Sequence, residues 1–230
     1  EAKFSACLAK HGSIYINDAF ATSHRSHASN VGVTNFMEKT AIGLLMEKEY
    51  KYLSEKTSNP PTPCALLLGG AKIDDKLDLI HNMMRKIDTI LIGGAMAFTF
   101  LKSKGLDVGA SLVQNDSLSM AEKILSIAEN NNIDVALPVD FVVASKMSED
   151  APCRIANLKE LQNDEAGYDI GPKTTMNFEM LLADMKMILW NGPMGVCEIP
   201  AFSTGTEVIA SVVRDKTQEG AISIIGGGDT

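Results

Sequence analysis

Apolar residues in this chain gather into short unbroken runs, and four of these runs stop abruptly at glycine. Cys64-Ala65-Leu66-Leu67-Leu68 precedes Gly69-Gly70, and Thr89-Ile90-Leu91-Ile92 precedes Gly93-Gly94. Met187-Ile188-Leu189-Trp190 precedes Asn191-Gly192-Pro193-Met194-Gly195, and Ala221-Ile222-Ser223-Ile224-Ile225 precedes Gly226-Gly227-Gly228-Asp229-Thr230. Continuous runs of this length read as strands buried on both faces, which is the pattern of a parallel sheet. Between them the apolar spacing turns helical. Ile73, Leu77, Ile80, Met84 and Ile87 predict a helix from about Lys72. Further helices are predicted over 96–104, 117–129 and 206–214, and from Pro172, at a first helical position, to about Met185. Residues 135–143 read as one strand interrupted by Pro138. Such alternation implies an α/β fold, a doubly wound parallel sheet with helices on both faces.

The first part of the chain has a different rhythm. Residues 1–10 predict a helix, 13–17 a strand and 22–27 a polar loop, His24-Arg25-Ser26-His27 among it. A long amphipathic helix is predicted from about Thr40 to Leu53, on the spacing of Ile42, Leu45, Met46 and Leu53. It ends in Thr57-Ser58-Asn59-Pro60-Pro61-Thr62-Pro63, where prolines stop a helix and stiffen a linker.

Composition narrows the classes. A 230-residue chain with 45% hydrophobic and 22% charged residues is ordinary for a globular protein. Its net charge of -8, without a basic run, speaks against a nucleic-acid partner. No signal peptide and no 18-residue apolar stretch is visible, so no membrane association is expected. The cysteines at 7, 64, 153 and 197 have no metal-ligand spacing and read as reduced thiols of a reducing, cytoplasmic compartment.

The glycine corners carry the candidate chemistry. After a buried strand, Gly69-Gly70-Ala71-Lys72 with Asp75-Lys76 offers backbone N–H groups and a helix N-terminus to an anion. Lys72 and Lys76, on one helix face by their spacing, would add two ammonium groups. A merely solvated charged face is the competing reading. Gly93-Gly94-Ala95 would form a flat wall for a purine or phosphate, or only pack helix on strand. Glu198 could accept ribose hydroxyls. Gly226-Gly227-Gly228-Asp229-Thr230 combines a backbone nest with a carboxylate and a hydroxyl, the equipment for phosphates and Mg²⁺. Neither a Walker A loop nor a G-x-G-x-x-G dinucleotide fingerprint is present, which argues against a dehydrogenase.

Taken together these segments resemble the phosphoglycerate kinase family. The matching stretches are Asn17-Asp18-Ala19-Phe20 with His24-Arg25 and His27, Gly69 to Lys76, Gly93-Gly94 with Met96 to Phe100, Leu137 to Phe141, Trp190 to Val196 with Glu198, and Gly226 to Thr230. The resemblance implies reversible phosphoryl transfer from 1,3-bisphosphoglycerate to MgADP, giving 3-phosphoglycerate and MgATP in glycolysis, by a monomer. It implies a catalytic set of Lys72, Arg25 and Gly228, and Mg²⁺ ligation by Asp229. Nucleotide contacts are implied for Gly70, Ala71, Lys76, Gly94, Leu112, Tyr168, Asn191, Pro193, Gly195, Val196, Glu198, Gly227, Asp229 and Thr230. Arg25, His24 and His27 would meet the phosphoglycerate. Residues 1–36 would be a remnant of a second α/β lobe, 37–57 the long hinge helix between lobes, and 58–230 most of a Rossmann-like nucleotide lobe. Departures from the family pattern are Ala21, Asp74, Ala95, Tyr168 and residues 34–40. The chain is read as a partial sequence, inactive alone; the alternative is a non-catalytic nucleotide-binding module.

Overall fold

The computed structural model describes residues 1–228 and Thr230. They form two compact units, Glu1–Asn59 and Pro60–Thr230. In the first, helix α1 (Ala2–Ala9) is followed by strands β1 (Tyr15–Asn17) and β2 (Thr40–Ile42), which pair in parallel. Helix α2 (Leu44–Tyr50) runs through a π-helical turn at Lys51–Glu55 into the single turn α3 (Lys56–Ser58).

The helix expected from Thr40 therefore starts only at Leu44. Its predicted first residues are bound instead in the ladder with β1, which the Gly43 amide extends by donating to the Asn17 carbonyl (2.8 Å). Asp18 then supplies the cap: its Oδ1 accepts the amides of Leu45 (2.7 Å) and Met46 (3.0 Å), two donors that a helix start leaves without partners. The expected apolar stripe does not become a buried face within this unit, where Ile42, Leu45 and Leu53 are exposed.

The second unit holds the predicted parallel sheet. Its strands are β3 (Cys64–Leu68), β4 (Thr89–Ile92), β5 (Asp134–Ala136), β9 (Met187–Asn191) and β10 (Ile222–Gly226), in the order β10-β9-β3-β4-β5. All their pairings are parallel. Side-chain alternation sorts the core into two layers. Leu66, Leu68, Ile90 and Ile92 pack with Ile80 of α4 (Leu77–Met83), Phe100 of α5 (Met96–Ser103) and Ala121 and Ile124 of α6 (Leu118–Asn130). Ala65, Leu67, Leu91 and Trp190 pack with Phe178 and Leu182 of α7 (Pro172–Leu182) and Ile209 and Val213 of α8 (Thr204–Gln218). The fold is thus α/β and doubly wound.

A second sheet has no counterpart in the sequence reading. Strands β6 (Phe141–Ala144), β7 (Arg154–Ala156) and β8 (Ala166–Ile170) form an antiparallel sheet ordered β7-β6-β8. The run 135–143 is consequently not one strand. It leaves the parallel sheet after Ala136, passes Pro138 and enters the antiparallel sheet at Phe141. Proline cannot donate to a ladder, so the break falls there.

Candidate functional site

The chain order of the parallel sheet reverses between β3 and β9. From β3 the chain steps to β4 and β5 on one side, then returns to β9 and β10 on the other. The crevice outside the carboxyl ends of such a switch point is where open α/β sheets bind ligands. A cleft of about 250 Å³ lies there, lined by the corners after β3, β9 and β10: Gly69 to Lys72, Asp75, Lys76, Asn191 to Pro193, Gly227, Gly228 and Thr230.

Close packing of the corners explains several glycines. A Cβ on Gly69 would collide with the Pro193 carbonyl, and one on Gly192 with the Gly69 carbonyl. Gly192 also holds φ at +95°, which side-chain-bearing residues rarely adopt. The amide of Gly69 donates to the Asn191 carbonyl (3.0 Å) and that of Gly70 to the Pro193 carbonyl (2.8 Å). These N–H groups, expected to face an anion, are spent in joining one corner to another. By contrast, Gly70 and Gly228 have open space where a side chain would be, so their backbone borders the cleft.

The lysines also differ from expectation. No helix carries Lys72. A 3-10 turn covers Asp74–Lys76, and α4 begins at Leu77. The cause is local: the Ile73 amide donates to Gln114 Oε1 (2.7 Å), not to a helical carbonyl. Both lysines nevertheless line the same cleft, Lys72 exposed and Lys76 half-buried with its Nζ donating to Asn191 Oδ1. Asp75 sets one carboxylate beside these two ammonium groups. Asp74, an added acid between them in sequence, accepts a hydrogen bond from Ser117 Oγ (3.2 Å) and is not among the cleft-lining residues. On the far side, Thr230 Oγ1 accepts the Gly192 amide (2.9 Å) and donates to the Gly226 carbonyl (2.9 Å). Asp229, the expected metal ligand, lies outside the described residues.

The cleft thus gathers Gly70, Ala71, Lys72, Lys76, Asn191, Pro193, Gly227, Gly228 and Thr230 of the predicted set, together with Asp75 and Gly192, to which no role was given. Gly94 lies against the Gly70 backbone, where a Cβ would sit 2.5 Å from the Gly70 nitrogen. Leu112, Tyr168, Gly195, Val196 and Glu198 are not among the lining residues. Leu112 and Glu198 are exposed. Tyr168 packs on Phe202, with ring centroids 4.9 Å apart, and accepts the Val196 amide at its carbonyl (2.9 Å). Gly195 lies against the Asp169 carboxyl. Arg25, His24 and His27 are exposed in the first unit, on a turn fixed by Asn30 Nδ2, which donates to the carbonyls of Arg25 (2.8 Å) and Thr22 (2.7 Å).

Two further groups went unnoticed in the sequence. Asp169 Oδ2 accepts the Gly205 amide (2.6 Å) at the start of α8, and its Oδ1 accepts the Ile170 amide (2.8 Å). Burial pushes this carboxyl up to about 7, although both amides pull it the other way. Gln114 is the other, and no periodicity marks either residue. Among the described residues no group of three or more His, Cys, Asp or Glu side chains could cage a metal. No helix among them is long and apolar enough to cross a membrane.

Comparison with known proteins gives a consistent picture. The family model described as phosphoglycerate kinase matches residues 1–230. The chain is 45% identical over 228 residues to a phosphoglycerate kinase of Chloroherpeton thalassium, covering 99% of the chain and 57% of that relative. It is 48% identical over 228 residues to one of Finegoldia magna, covering 99% of the chain and 56% of that relative. Among solved structures, phosphoglycerate kinase from Coxiella burnetii superposes with a TM-score of 0.91 at 38% identity, over 99% of this chain and 58% of that one. The chain therefore spans a little over half the length of the relatives it matches.

Proposed function

The chain belongs to the phosphoglycerate kinase family, and from that premise we infer that its second unit holds the nucleotide in phosphoryl transfer between 1,3-bisphosphoglycerate and MgADP. The observation that carries this reading is the convergence of Lys72 and Lys76 with the Gly227-Gly228 corner on one cleft at the switch point. Phosphoryl transfer asks little covalent chemistry of a protein and much positioning and charge stabilisation. Lys76, tethered to Asn191 beside the crossing of β3 and β9, suits a steady contact with nucleotide phosphates. Lys72, exposed on the extended segment before the 3-10 turn, suits the charge that grows on the transferring group. Gly70 and Gly228 let phosphate oxygens approach the backbone, and Thr230 presents a hydroxyl.

The donor set also fits a divalent cation that arrives with phosphates. A cage made of protein alone is absent among the described residues, and Mg²⁺ usually takes one or two carboxylates with phosphate oxygens. Asp229 is the proposed ligand, with Asp75 as the carboxylate already in the cleft. When bound, the cation neutralises charge on the phosphates. Arg25, His24 and His27 are proposed to meet the phosphoglycerate. Residues 1–36, 37–57 and 58–230 are proposed as remnant lobe, connecting hinge and nucleotide lobe, the chain being cut into two units at Asn59. Leu112, Tyr168, Val196 and Glu198 are proposed to contact the nucleoside.

Titration calorimetry with MgADP on this chain, together with turnover assays on the intact protein, tests the reading. Saturable MgADP binding is expected, weakened by Lys76→Ala. Lys72→Ala is expected to lower kcat about 10²–10³-fold while leaving most nucleotide binding. Nucleotide binding without turnover in the intact protein would point to a non-catalytic module, and no nucleotide binding at all would overturn the reading.

A further inference from the structure

We propose that Gln114 is a positioning residue that holds the Lys72 segment extended, so that the Lys72 ammonium stays at the cleft. The proposal rests on the function inferred above. Left to its own sequence, Lys72-Ile73-Asp74-Asp75-Lys76 contains no helix breaker and would extend α4 by a turn toward its start. The structure stops that extension by one bond. Gln114 Oε1 accepts the amide of Ile73 at 2.7 Å, removing the donor that another helical turn would need. Ile73 itself is fully buried in the core beside Leu66, Leu68 and Ile80, so its backbone cannot readily find water if the bond is lost.

Gln114 can hold another segment because it is held itself. Its backbone amide donates to Thr99 Oγ1 at 3.0 Å, and Thr99 is fully buried in α5. A second tie runs in parallel from Ser117, at the start of α6, to Asp74 Oδ1 at 3.2 Å. The loop between α5 and α6 is therefore pinned to the core on one side and grips the residues just after Lys72 on the other. Lys76 has a separate restraint in Asn191, whereas none of the hydrogen bonds or ion pairs described here restrains the Lys72 side chain. The loss of Gln114 should thus fall on Lys72 more than on Lys76. A positioned ammonium lowers a transfer barrier chiefly by being already in place, and a shift of about 1 Å can cost about 10²-fold.

The experiment compares Gln114→Met with Gln114→Glu in the intact protein. Methionine keeps the length and loses the acceptor, while glutamate keeps an acceptor oxygen. Gln114→Met is expected to lower kcat about 10- to 100-fold with KM for MgADP changed less than about twofold. Gln114→Glu should recover most of that loss. Amide exchange at Ile73 is read alongside, and should quicken in Gln114→Met but not in Gln114→Glu. Equal kcat in wild type and Gln114→Met would overturn the proposal. So would a fall in kcat that tracks a loss of folded protein at the assay temperature, or one that glutamate fails to restore. Should the wild type show no turnover, the functional reading fails, and Ile73 exchange with the acylation rate of Lys72 then decides the proposal. An unchanged pair of rates in Gln114→Met would reject it.

Discussion

The parallel sheet is sealed on both faces by aliphatic and aromatic side chains, whereas the smaller antiparallel sheet joins its neighbouring helices through buried carboxylates. In the first, β3 and β4 are buried at every residue, and helices lie against both layers. In the second, β7 is mostly exposed. There Asp140, just before β6, accepts the amides of Lys173 (3.0 Å) and Thr174 (2.8 Å) and the Thr174 hydroxyl (2.7 Å), capping α7 from outside. Asp169 in β8 does the same for α8 through Gly205. Apolar burial is tolerant of exchange, while a buried carboxylate stabilises only as long as each donor is met. The cleft belongs to the tolerant part, yet its glycine corners are the one place there with no slack.

The sharpest way to break this contrast is Gly192→Ala. The new methyl would enter the Gly69 carbonyl at a φ of +95°. A loss of about 3 kcal/mol or more is expected in denaturant unfolding, with MgADP binding lost in calorimetry. Asp140→Ala comes next. It leaves the amides of Lys173 and Thr174 without their acceptor, and about 2–3 kcal/mol should disappear from the unfolding free energy while nucleotide affinity stays constant. A loss of affinity of the same size would mean the two sheets are not as separable as argued.

Asp169 gives a pH signature of this second type. Its carboxyl is raised in the folded protein from an ordinary 3.8 to about 7, so the folded state binds the proton more tightly. The stabilisation from this group is complete below pH 3.8 and is lost as pH rises through about 7. Unfolding curves across that window should show the slope in the wild type and a flatter profile in Asp169→Asn. Thiol labelling probes the sheets more gently. Cys64, buried in β3 with its thiol pushed up to about 12 by burial first and by Asp88 second, should react only through unfolding. Cys153, exposed just before β7, should label at the rate of a free peptide, as read by mass spectrometry. Arg154→Ala is expected to do least, shifting the unfolding midpoint less than either aspartate change. Its pair with Glu165 (2.6 Å) has a guanidinium side chain that is 40% exposed.

The same contrast governs what could be read in the sequence. Strands β3, β4, β9 and β10 were legible because burial on both faces leaves an unbroken apolar run. The antiparallel sheet was not, since β7 has only three residues and β8 reads Ala-Gly-Tyr-Asp-Ile, with an acid whose partner is on a later helix. The cleft was legible in its members but not in its wiring. Two glycine amides expected to face a ligand serve loop against loop. The helix expected at Lys72 is displaced by a bond from Gln114, 41 residues away. The helix expected at Thr40 yields to Asp18 in the same manner. Side-chain bonds between distant positions leave no periodic trace, so local pattern overran the true helix start both times.

Trp190 ends β9 nearly fully buried, and its indole nitrogen donates to the Gly192 carbonyl at 2.7 Å. It is also the only tryptophan in the sequence. Its light emission therefore comes from one ring, joined by one bond to the corner that lines the cleft. Any ligand that shifts Gly192 by a fraction of an ångström should change the colour or yield of that emission. The protein thus carries its own optical gauge of occupancy, and rapid-mixing fluorescence can time the arrival of a nucleotide without a label.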